Sequence, residues 1–418
     1  MEIFGCSSNV ADSEIIAGLL KENSINPVKK PNESDINIIV TCTVKTATSQ
    51  RMLHRIKVLS SFNSPLLIAG CMTKTERNLI ERINPNASLL GPEDLDKTVE
   101  IVRHTINGIR NTYLNGSALN NVLLPRVRCN QTIGIVKILS GCLGKCSFCQ
   151  VKIAKGKLKS VNPQLIKSDV EQAIQDGCKE IWLTSQDNGC YGKDIGYDLI
   201  YLAKVLLNIK SDFIIRLGMI NPEHLYKMLK ELIPIISNEK IFKFLHIPIQ
   251  SGSDNVLKSM RRNHVVNDFI TIAESFRYAF PLSTLSTDII IGYPTETDID
   301  FQKTVDLIKK VKPDIVHISK YGARSGTESE KMLPLDLKVV IERSKTLHRI
   351  VDEISLKNNR NWINWFGKVL IDKEVREAVV GRNFAYKPVV IKKQFPIGTI
   401  LNIKVIGATS SCLIGEPN

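Results

Sequence analysis

The sequence predicts an α/β protein in three parts. These are an N-terminal open parallel α/β sheet, a central partial (β/α)6 barrel and a small all-β barrel. Three observations carry this reading. Short apolar runs alternate with amphipathic stretches up to about residue 355, the rhythm of repeated β–α units. A polar stretch rich in Asn, Gly and Ser interrupts that rhythm over 109–128 and reads as a linker. After a long helical pattern at 336–360, short β-type runs punctuated by Gly381, Gly398 and Gly407 take over. The expected domains are therefore 1–108, 129–357 and 358–418.

In the first part, three apolar runs each end in a cysteine: Cys6, Cys42 and Cys71. A helix pattern follows each, over 11–21, 44–59 and 74–83. If the runs are parallel strands of one sheet, the three thiols share its carboxyl edge, where open α/β sheets bind ligands. Such a trio can hold a metal cluster. The alternative is three small buried side chains, because free cysteine packs well in cores.

The middle part offers strand candidates at 133–139, 180–184, 213–217, 242–247, 283–291 and 315–319. Helix candidates such as 164–175 and 298–311 fill the gaps, as in a barrel whose active site lies at the carboxyl ends of its strands. Just after the first strand come Cys142, Cys146 and Cys149, at C-x3-C-x2-C spacing. A 4Fe–4S cluster normally takes four cysteines. Three thiolates on one tight loop leave one iron open, which makes this loop a candidate catalytic site. A zinc site is the rival reading, but zinc sites are usually closed by four ligands, and no second C-x2-C pair or His-x3-5-His tail follows. Cys129, Cys178, Cys190 and Cys412 share no ligand spacing and read as ordinary thiols. His246, beside Pro248 on a strand, reads as a packed, hydrogen-bonded histidine.

The last part has β-type runs at 369–371, 375–380, 387–391, 399–406 and 411–414. Residues 358–418 hold nine Lys/Arg against four acids, with Phe384 and Tyr386 among them. Basic grooves with exposed aromatics bind single-stranded nucleic acid by phosphate contact and stacking. The bland alternative is that both rings fill the small barrel. The whole chain of 418 residues carries a formal charge of +14, which favours a polyanionic partner such as RNA. Lys152, Lys155, Lys157 and Lys159, just after the cysteine loop, are candidates for phosphate contact. No apolar run approaches a membrane span, and the start lacks the pattern of a signal peptide. The expected location is the cytoplasm, where ten cysteines are metal ligands or buried thiols rather than disulfides.

Taken as a set, the motifs resemble the radical S-adenosylmethionine (SAM) methylthiotransferases over essentially the whole chain. The N-terminal signatures stand as Gly5-Cys-Ser-Ser-Asn-Val-Ala-Asp-Ser-Glu14, Thr41-Cys-Thr-Val-Lys45 and Ala69-Gly-Cys-Met72. The barrel motifs are Leu245-His-Ile-Pro-Ile-Gln-Ser-Gly-Ser-Asp254 and Thr287-Asp-Ile-Ile-Ile-Gly-Tyr-Pro-Thr-Glu296. The C-terminal module is similar to a TRAM domain. Three stretches resemble the archaeal and eukaryotic branch: Gly141-Cys-Leu-Gly-Lys-Cys146, Glu180-Ile-Trp-Leu-Thr-Ser185 and Arg216-Leu-Gly-Met-Ile-Asn-Pro222. Eukaryotic members add a hydrophobic tail, whereas this sequence stops at Gly415-Glu-Pro-Asn418 and looks like the archaeal form. Two places depart from the family pattern, Tyr321-Gly-Ala-Arg-Ser-Gly-Thr327 and Thr295, and neither is a cluster ligand.

The resemblance implies an enzyme that puts a methylthio group on C2 of N6-threonylcarbamoyladenosine, next to the anticodon of transfer RNA. Two 4Fe–4S clusters are implied. The one on Cys142, Cys146 and Cys149 would bind and cleave SAM, and the one on Cys6, Cys42 and Cys71 would offer the sulfur. A second SAM would supply the methyl group. For SAM contacts the resemblance points to Phe148 near the adenine, Gln186 and Asp187 after the second strand, and Gln250 and Ser251 after the fourth. Arg216, at the end of the third strand, matches the SAM carboxylate, and Asp288 lies on the fifth strand. The chemistry also requires an electron donor, of flavodoxin or ferredoxin type, and a sulfur donor; the sequence names neither. Rival readings are the same reaction on another tRNA adenosine or on a ribosomal protein, and a non-catalytic iron–sulfur RNA-binding regulator.

Overall fold

The computed structural model describes residues 1–43 and 46–417. Five parallel strands form the N-terminal sheet in sequential order. They are β1 (Glu2–Ile3), β2 (Asn37–Thr41), β3 (Leu66–Gly70), β4 (Ser88–Leu90) and β5 (Thr112–Tyr113). The helices of this part are α1 (Ser7–Glu22), α2 (Thr46–Leu59), the short α3 (Met72–Thr75), α4 (Arg77–Ile83) and α5 (Thr98–Ile106). β2 and β3 are buried along their whole length, so they read as unbroken apolar runs rather than alternating ones. Two apolar clusters sandwich the sheet, one with Ile15, Ile16 and Val102, the other with Met52, Ile56 and Leu59. The expected helix start at Val44 lies outside the described residues.

The stretch expected as a linker carries β5, which pairs with β4, and Asn121, whose side-chain oxygen accepts the Leu95 N–H at 3.1 Å. Two strand residues inside a polar run leave no periodicity to read.

The central part is an arc of six parallel strands: β6 (Ile133–Lys137), β9 (Glu180–Thr184), β10 (Ile214–Leu217), β11 (Phe244–His246), β12 (Thr284–Ile291) and β13 (Ile315–Lys320). A parallel bridge from Ile215 to Ile241 joins its two three-stranded halves. The short β7 (Leu139–Ser140) and β8 (Lys159–Ser160) pair antiparallel across the cysteine loop. α6 (Val151–Lys155) faces α3 of the N-terminal part, and the remaining helices of the arc are α7 (Pro163–Gln175), α8 (Leu199–Leu207), α9 (Pro222–Ser237), α10 (Asp254–Ser259), α11 (Val266–Ala279), α12 (Asp298–Val311) and the long α13 (Leu337–Arg360). One continuous apolar core joins strands and helices, including Leu183, Leu217, Phe269, Phe276 and Leu347.

The C-terminal part is a closed barrel of β14 (Phe366–Val375), β15 (Ala378–Arg382), β16 (Pro388–Ile391), β17 (Ile400–Ala408) and β18 (Leu413–Pro417). The first two expected runs are divided differently from these strands. The register of β14 shifts between Ile371 and Lys373, and at this bulge Asp372 is buried against Arg382 at 3.0 Å. A buried charge in mid-strand breaks the apolar pattern without breaking the strand.

This barrel docks on the amino-end floor of the arc through Tyr386. Its ring centroid lies 5.0 Å from Phe242, 4.9 Å from Phe244 and 6.3 Å from Trp182. Tyr386 is therefore buried, not available for stacking on a base, while Phe384 packs beside Trp362 and Trp365 with its ring partly exposed. Next to it, Lys387 donates to Asp314 at 2.8 Å and to Asn359 at 2.7 Å. No helix among the described residues is long and apolar enough to cross a membrane.

Candidate functional site

Cys142, Cys146 and Cys149 sit on a loop that the backbone folds tightly. Gly141 adopts φ +84°, and a Cβ there would meet the Lys157 carbonyl oxygen at 2.2 Å, so only glycine fits. The Gly144 N–H points at the Cys142 sulfur at 3.2 Å, and the Cys149 N–H bonds the Cys146 carbonyl at 3.2 Å. A Cβ on Gly144 would stand 3.3 Å from the Cys142 sulfur and 3.6 Å from that of Cys146. Glycine thus keeps clear the space into which both sulfurs face, and the donor set of three thiols fits an iron–sulfur cluster. The loop is fastened by Ser147, which shares a hydrogen bond with Tyr293 at 2.8 Å and bonds the Met260 carbonyl through its N–H at 3.1 Å. Phe148 packs with Val256, Met260 and Tyr293.

The second trio also converges. Cys42 and Cys71 follow directly on the carboxyl ends of β2 and β3, Cys6 comes three residues after the end of β1, and the Cys71 N–H bonds the Thr41 carbonyl at 3.0 Å. A Cβ on Gly5 would lie 2.6 Å from that of Cys42. A hydrogen bond from Cys42, with further bonds at the start of α1 and the Lys155 charge, pulls the Cys6 thiol down to about 6 against its desolvation. Burial pushes Cys71 up to about 11, with Lys155 opposing. Cys6 and Cys71, thiols shifted in opposite directions in one place, are what a metal would draw into a common thiolate state.

The two carboxyl edges face each other. Ser7 meets Thr184 at 2.7 Å, Ser140 donates to Glu93 at 3.0 Å, and Arg324 donates to Ser49 at 2.9 Å. Gln150, next to Cys149, bonds Thr43, next to Cys42, and also reaches Glu76 at 3.2 Å. Asp12 takes both Lys137 and Lys155, and Glu93 takes both Lys74 and Lys155. Lys155 is buried in this network, so it does not reach RNA as the sequence reading allowed. Arg324 carries its charge close to Cys42 and Cys149 alike.

The remaining expected contacts are distributed around the arc. Asp187 is fully buried, accepting from Gly189 N–H at 2.9 Å, Asn221 N–H at 3.1 Å and the Asn221 amide at 2.6 Å. Its carboxylate thus organises the loop behind the cysteines instead of standing open at the mouth. Gln186 leaves its side-chain oxygen buried and unpartnered, in a wall with Ser8 and Lys155. Gln250, at φ +77°, bridges to β12 through its N–H to the Asp288 carbonyl at 2.8 Å, and Ser251 is buried, accepting from Ser253 N–H at 3.2 Å. Asp288 accepts from His246 at 2.6 Å. Arg216 does not end its strand, since Leu217 does; its guanidinium lies over Trp182, Phe244 and Tyr386 at 5.2, 4.9 and 5.1 Å.

Three participants escaped the sequence reading. Cys190 is not an ordinary thiol: its sulfur, that of Cys142 and an Asp187 oxygen lie within 4.8 Å of one another, and His224 is 3.1 Å from it. Arg262 donates to the Cys146 sulfur at 3.4 Å, to Asn221 at 2.6 Å and to the Pro248 carbonyl at 2.9 Å. His317 joins His246 and Asp288 in a second cluster. The Arg262 signal was available in the charged pair Arg261-Arg262 after α10, but nothing in the spacing tied it to the cysteines.

A curated relative from Methanothermobacter thermautotrophicus, described as a probable threonylcarbamoyladenosine tRNA methylthiotransferase, is 36% identical, covering 100% of this chain and 98% of its own length. One from Pyrococcus horikoshii with the same description is 37% identical with the same coverage. The threonylcarbamoyladenosine tRNA methylthiotransferase of Homo sapiens is 32% identical over 99% of this chain and 73% of its own. The chain belongs to this family of methylthiotransferases. Family models agree: the radical SAM superfamily matches residues 136–308, and the uncharacterized protein family UPF0004 matches residues 1–91. The first match covers all three cysteines of the barrel loop and the second all three of the N-terminal trio. For a radical SAM methylthiotransferase, SAM and a 4Fe–4S cluster are implied. Among solved structures, TsrM of Kitasatospora setae, a radical SAM methyltransferase with cobalamin and a 4Fe–4S cluster bound, shares the fold at TM-score 0.54 and 11% identity. That likeness covers 81% of this chain and 68% of that one.

Proposed function

We propose that this protein is a tRNA methylthiotransferase that places S–CH3 on C2 of N6-threonylcarbamoyladenosine. The observation that carries this is the meeting of two three-cysteine sets across one polar seam, in a chain whose relatives of that description match it end to end. Residues 1–108 are assigned to the sulfur-supplying domain, 129–357 to the radical barrel and 358–418 to RNA binding. Cys142, Cys146 and Cys149 would hold the cluster that works with SAM, and Cys6, Cys42 and Cys71 a second 4Fe–4S cluster. When bound, these groups and SAM supply the radical C–H cleavage and the sulfur and methyl transfer that no side chain can perform.

The chain's own residues bind, orient and exclude water. Arg262 sets a positive charge beside the first cysteine set, stabilising thiolate and any carboxylate brought there. Phe148 and its apolar neighbours close one side of that set to water. Gln150 and Arg324 fix the spacing between the two sets. Exposed Lys373, Lys392 and Lys393 on the C-terminal barrel are assigned to the RNA backbone. The cytoplasm is the expected location, and the electron and sulfur donors are separate components. The deciding experiment is nucleoside mass spectrometry of tRNA from a deletion strain, paired with reaction of the purified holoenzyme. Loss of the methylthio mark, and its return with added enzyme, is expected. Mass gain on ribosomal protein but not on tRNA overturns the reading.

A further inference from the structure

We propose that Arg216, His246, Asp288 and His317 form the subsite that reads the amino-acid substituent on N6 of the substrate base. This rests on the function proposed above and deepens it. The four residues come from four successive strands, β10 to β13, and project into the interior of the arc. Asp288 and His317 are direct partners in the β12–β13 register, and the ligand atoms of His246, Asp288 and His317 lie within 4.8 Å of one another. Two residues earlier on their strands, Phe244 and Ile315 belong to the apolar floor around Tyr386. Two residues later on β12, Ile290 packs on the same Val256, Met260 and Tyr293 cluster as Phe148 of the cysteine loop. The polar layer therefore sits between the floor and the candidate reaction centre.

Its charge is what singles it out. Among the described residues, no carboxylate lies within ion-pair distance of Arg216; its cation is held on three aromatic faces, and its Nε is buried and unpartnered. A guanidinium held this way keeps its donors for a ligand anion. The neighbouring imidazoles and carboxylate offer mixed donors and acceptors. A threonylcarbamoyl group carries a carboxylate, a hydroxyl and amide N–H groups, and matches that set. A metal ion matches poorly: His246 and Asp288 stand 2.6 Å apart, closer than the roughly 3 Å between adjacent ligands at ordinary metal–ligand bond lengths, and Arg216 would repel it. On this placement Arg216 serves the substrate and not the carboxylate of SAM.

The test uses the reconstituted holoenzyme and two anticodon stem-loop RNAs, one with the free threonyl carboxylate and one with its methyl ester. Each variant is compared with itself, so losses of folding or cluster content cancel in the ratio of kcat/KM. The wild type is expected to prefer the acid by roughly tenfold or more, as for a charge-assisted contact. Arg216→Gln and His317→Gln are each expected to bring the ratio close to one. An unchanged ratio in both variants overturns the subsite, as does a metal ion beyond the cluster iron that His317→Gln removes. Product from neither RNA overturns the methylthiotransferase reading and the subsite with it.

Discussion

Replacing Tyr386 by alanine removes the peg that joins the C-terminal barrel to the floor of the arc. The ring touches Phe242, Phe244 and Trp182, and two guanidinium groups, Arg216 at 5.1 Å and Arg382 at 4.7 Å, lie over it. Deleting a buried aromatic side chain costs about 3–5 kcal/mol. Two partly desolvated cation–π contacts add about 0.5–1 kcal/mol each. The backbone holds the opposite contribution. Tyr386 sits at φ +61°, a left-handed conformation that costs a non-glycine residue roughly 1–2 kcal/mol. Alanine loses the ring and keeps that strain, whereas glycine loses the ring and sheds it. The expected order of stability is wild type, then Tyr386→Phe within about 1 kcal/mol. Tyr386→Gly comes next, and Tyr386→Ala lies about 1 kcal/mol lower still, about 4–7 kcal/mol below wild type. Urea unfolding followed by tryptophan fluorescence reads this joint directly, because the three tryptophans, Trp182, Trp362 and Trp365, all lie at it or beside Phe384. An alanine variant within about 1 kcal/mol of wild type, or a glycine variant below alanine, refutes the docking argument.

Three further outcomes follow from the same geometry. Cys146→Ala is expected to abolish SAM cleavage, while Cys42→Ala spares cleavage and blocks sulfur insertion; each should reduce iron from about eight to about four atoms per chain. Equal loss of both activities in Cys42→Ala counts against two separable clusters. Burial pushes the Glu180 carboxyl up to about 7, and one of its oxygens is buried without a partner. Because its folded-state value is raised, its contribution to stability is complete below about pH 4.5 and is lost as pH rises through about 7. Glu180→Gln should therefore flatten the fall in stability of the metal-free protein between those pH values by roughly 3 kcal/mol, read as the shift in urea midpoint; an unchanged slope sinks the assignment. Replacing Lys373, Lys392 and Lys393 together by Gln should lower the salt dependence of RNA binding by roughly 2 units in a log–log plot, in line with about 0.7 per phosphate contact, and identical slopes by filter binding would remove those lysines from the interface.

Much of the candidate site was legible in residue order, for definite reasons. Each N-terminal cysteine closes an apolar run, and a parallel sheet turns that repeated placement into one shared edge. The C-x3-C-x2-C loop follows a strand, and barrel topology puts such loops on the active face. What sequence hid was convergence between distant segments. Cys190 and His224 come from the loop after β9 and from α9, and only the closing of the arc brings them to Cys142 and Asp187. Tyr386 looked like an RNA-stacking ring because an aromatic among lysines has the same local pattern whether it faces solvent or a neighbouring domain. Its left-handed backbone carried no local signal at all.

The seam between the two cysteine sets gives the proposed function a physical reason to require both domains. Beside a small apolar patch where Val10 and Ala11 of α1 meet Ile133, Ile135 and Trp182 of the arc, it is built from ions and amides: Lys137 and Lys155 with Asp12, Lys155 with Glu93, Gln150 with Thr43, Arg324 with Ser49. Buried ion pairs add little net stability, since desolvation cancels much of their attraction, but they are costly to leave half-made. An apolar seam tolerates sliding by a residue's width, whereas each of these pairs is satisfied in one arrangement only. For the reaction proposed above, in which a sulfur would pass from one edge to a carbon activated at the other, an error of about 1 Å in spacing can cost a hundredfold in rate. Lys155 makes the point most directly. It stands on α6, immediately after the barrel's cysteine loop, yet its ammonium is neutralised by two carboxylates of the N-terminal part and lies close enough to bias Cys6 and Cys71. The barrel thus contributes a charge to the thiols of its neighbour, and the N-terminal set lacks its full electrostatic environment until the two domains meet.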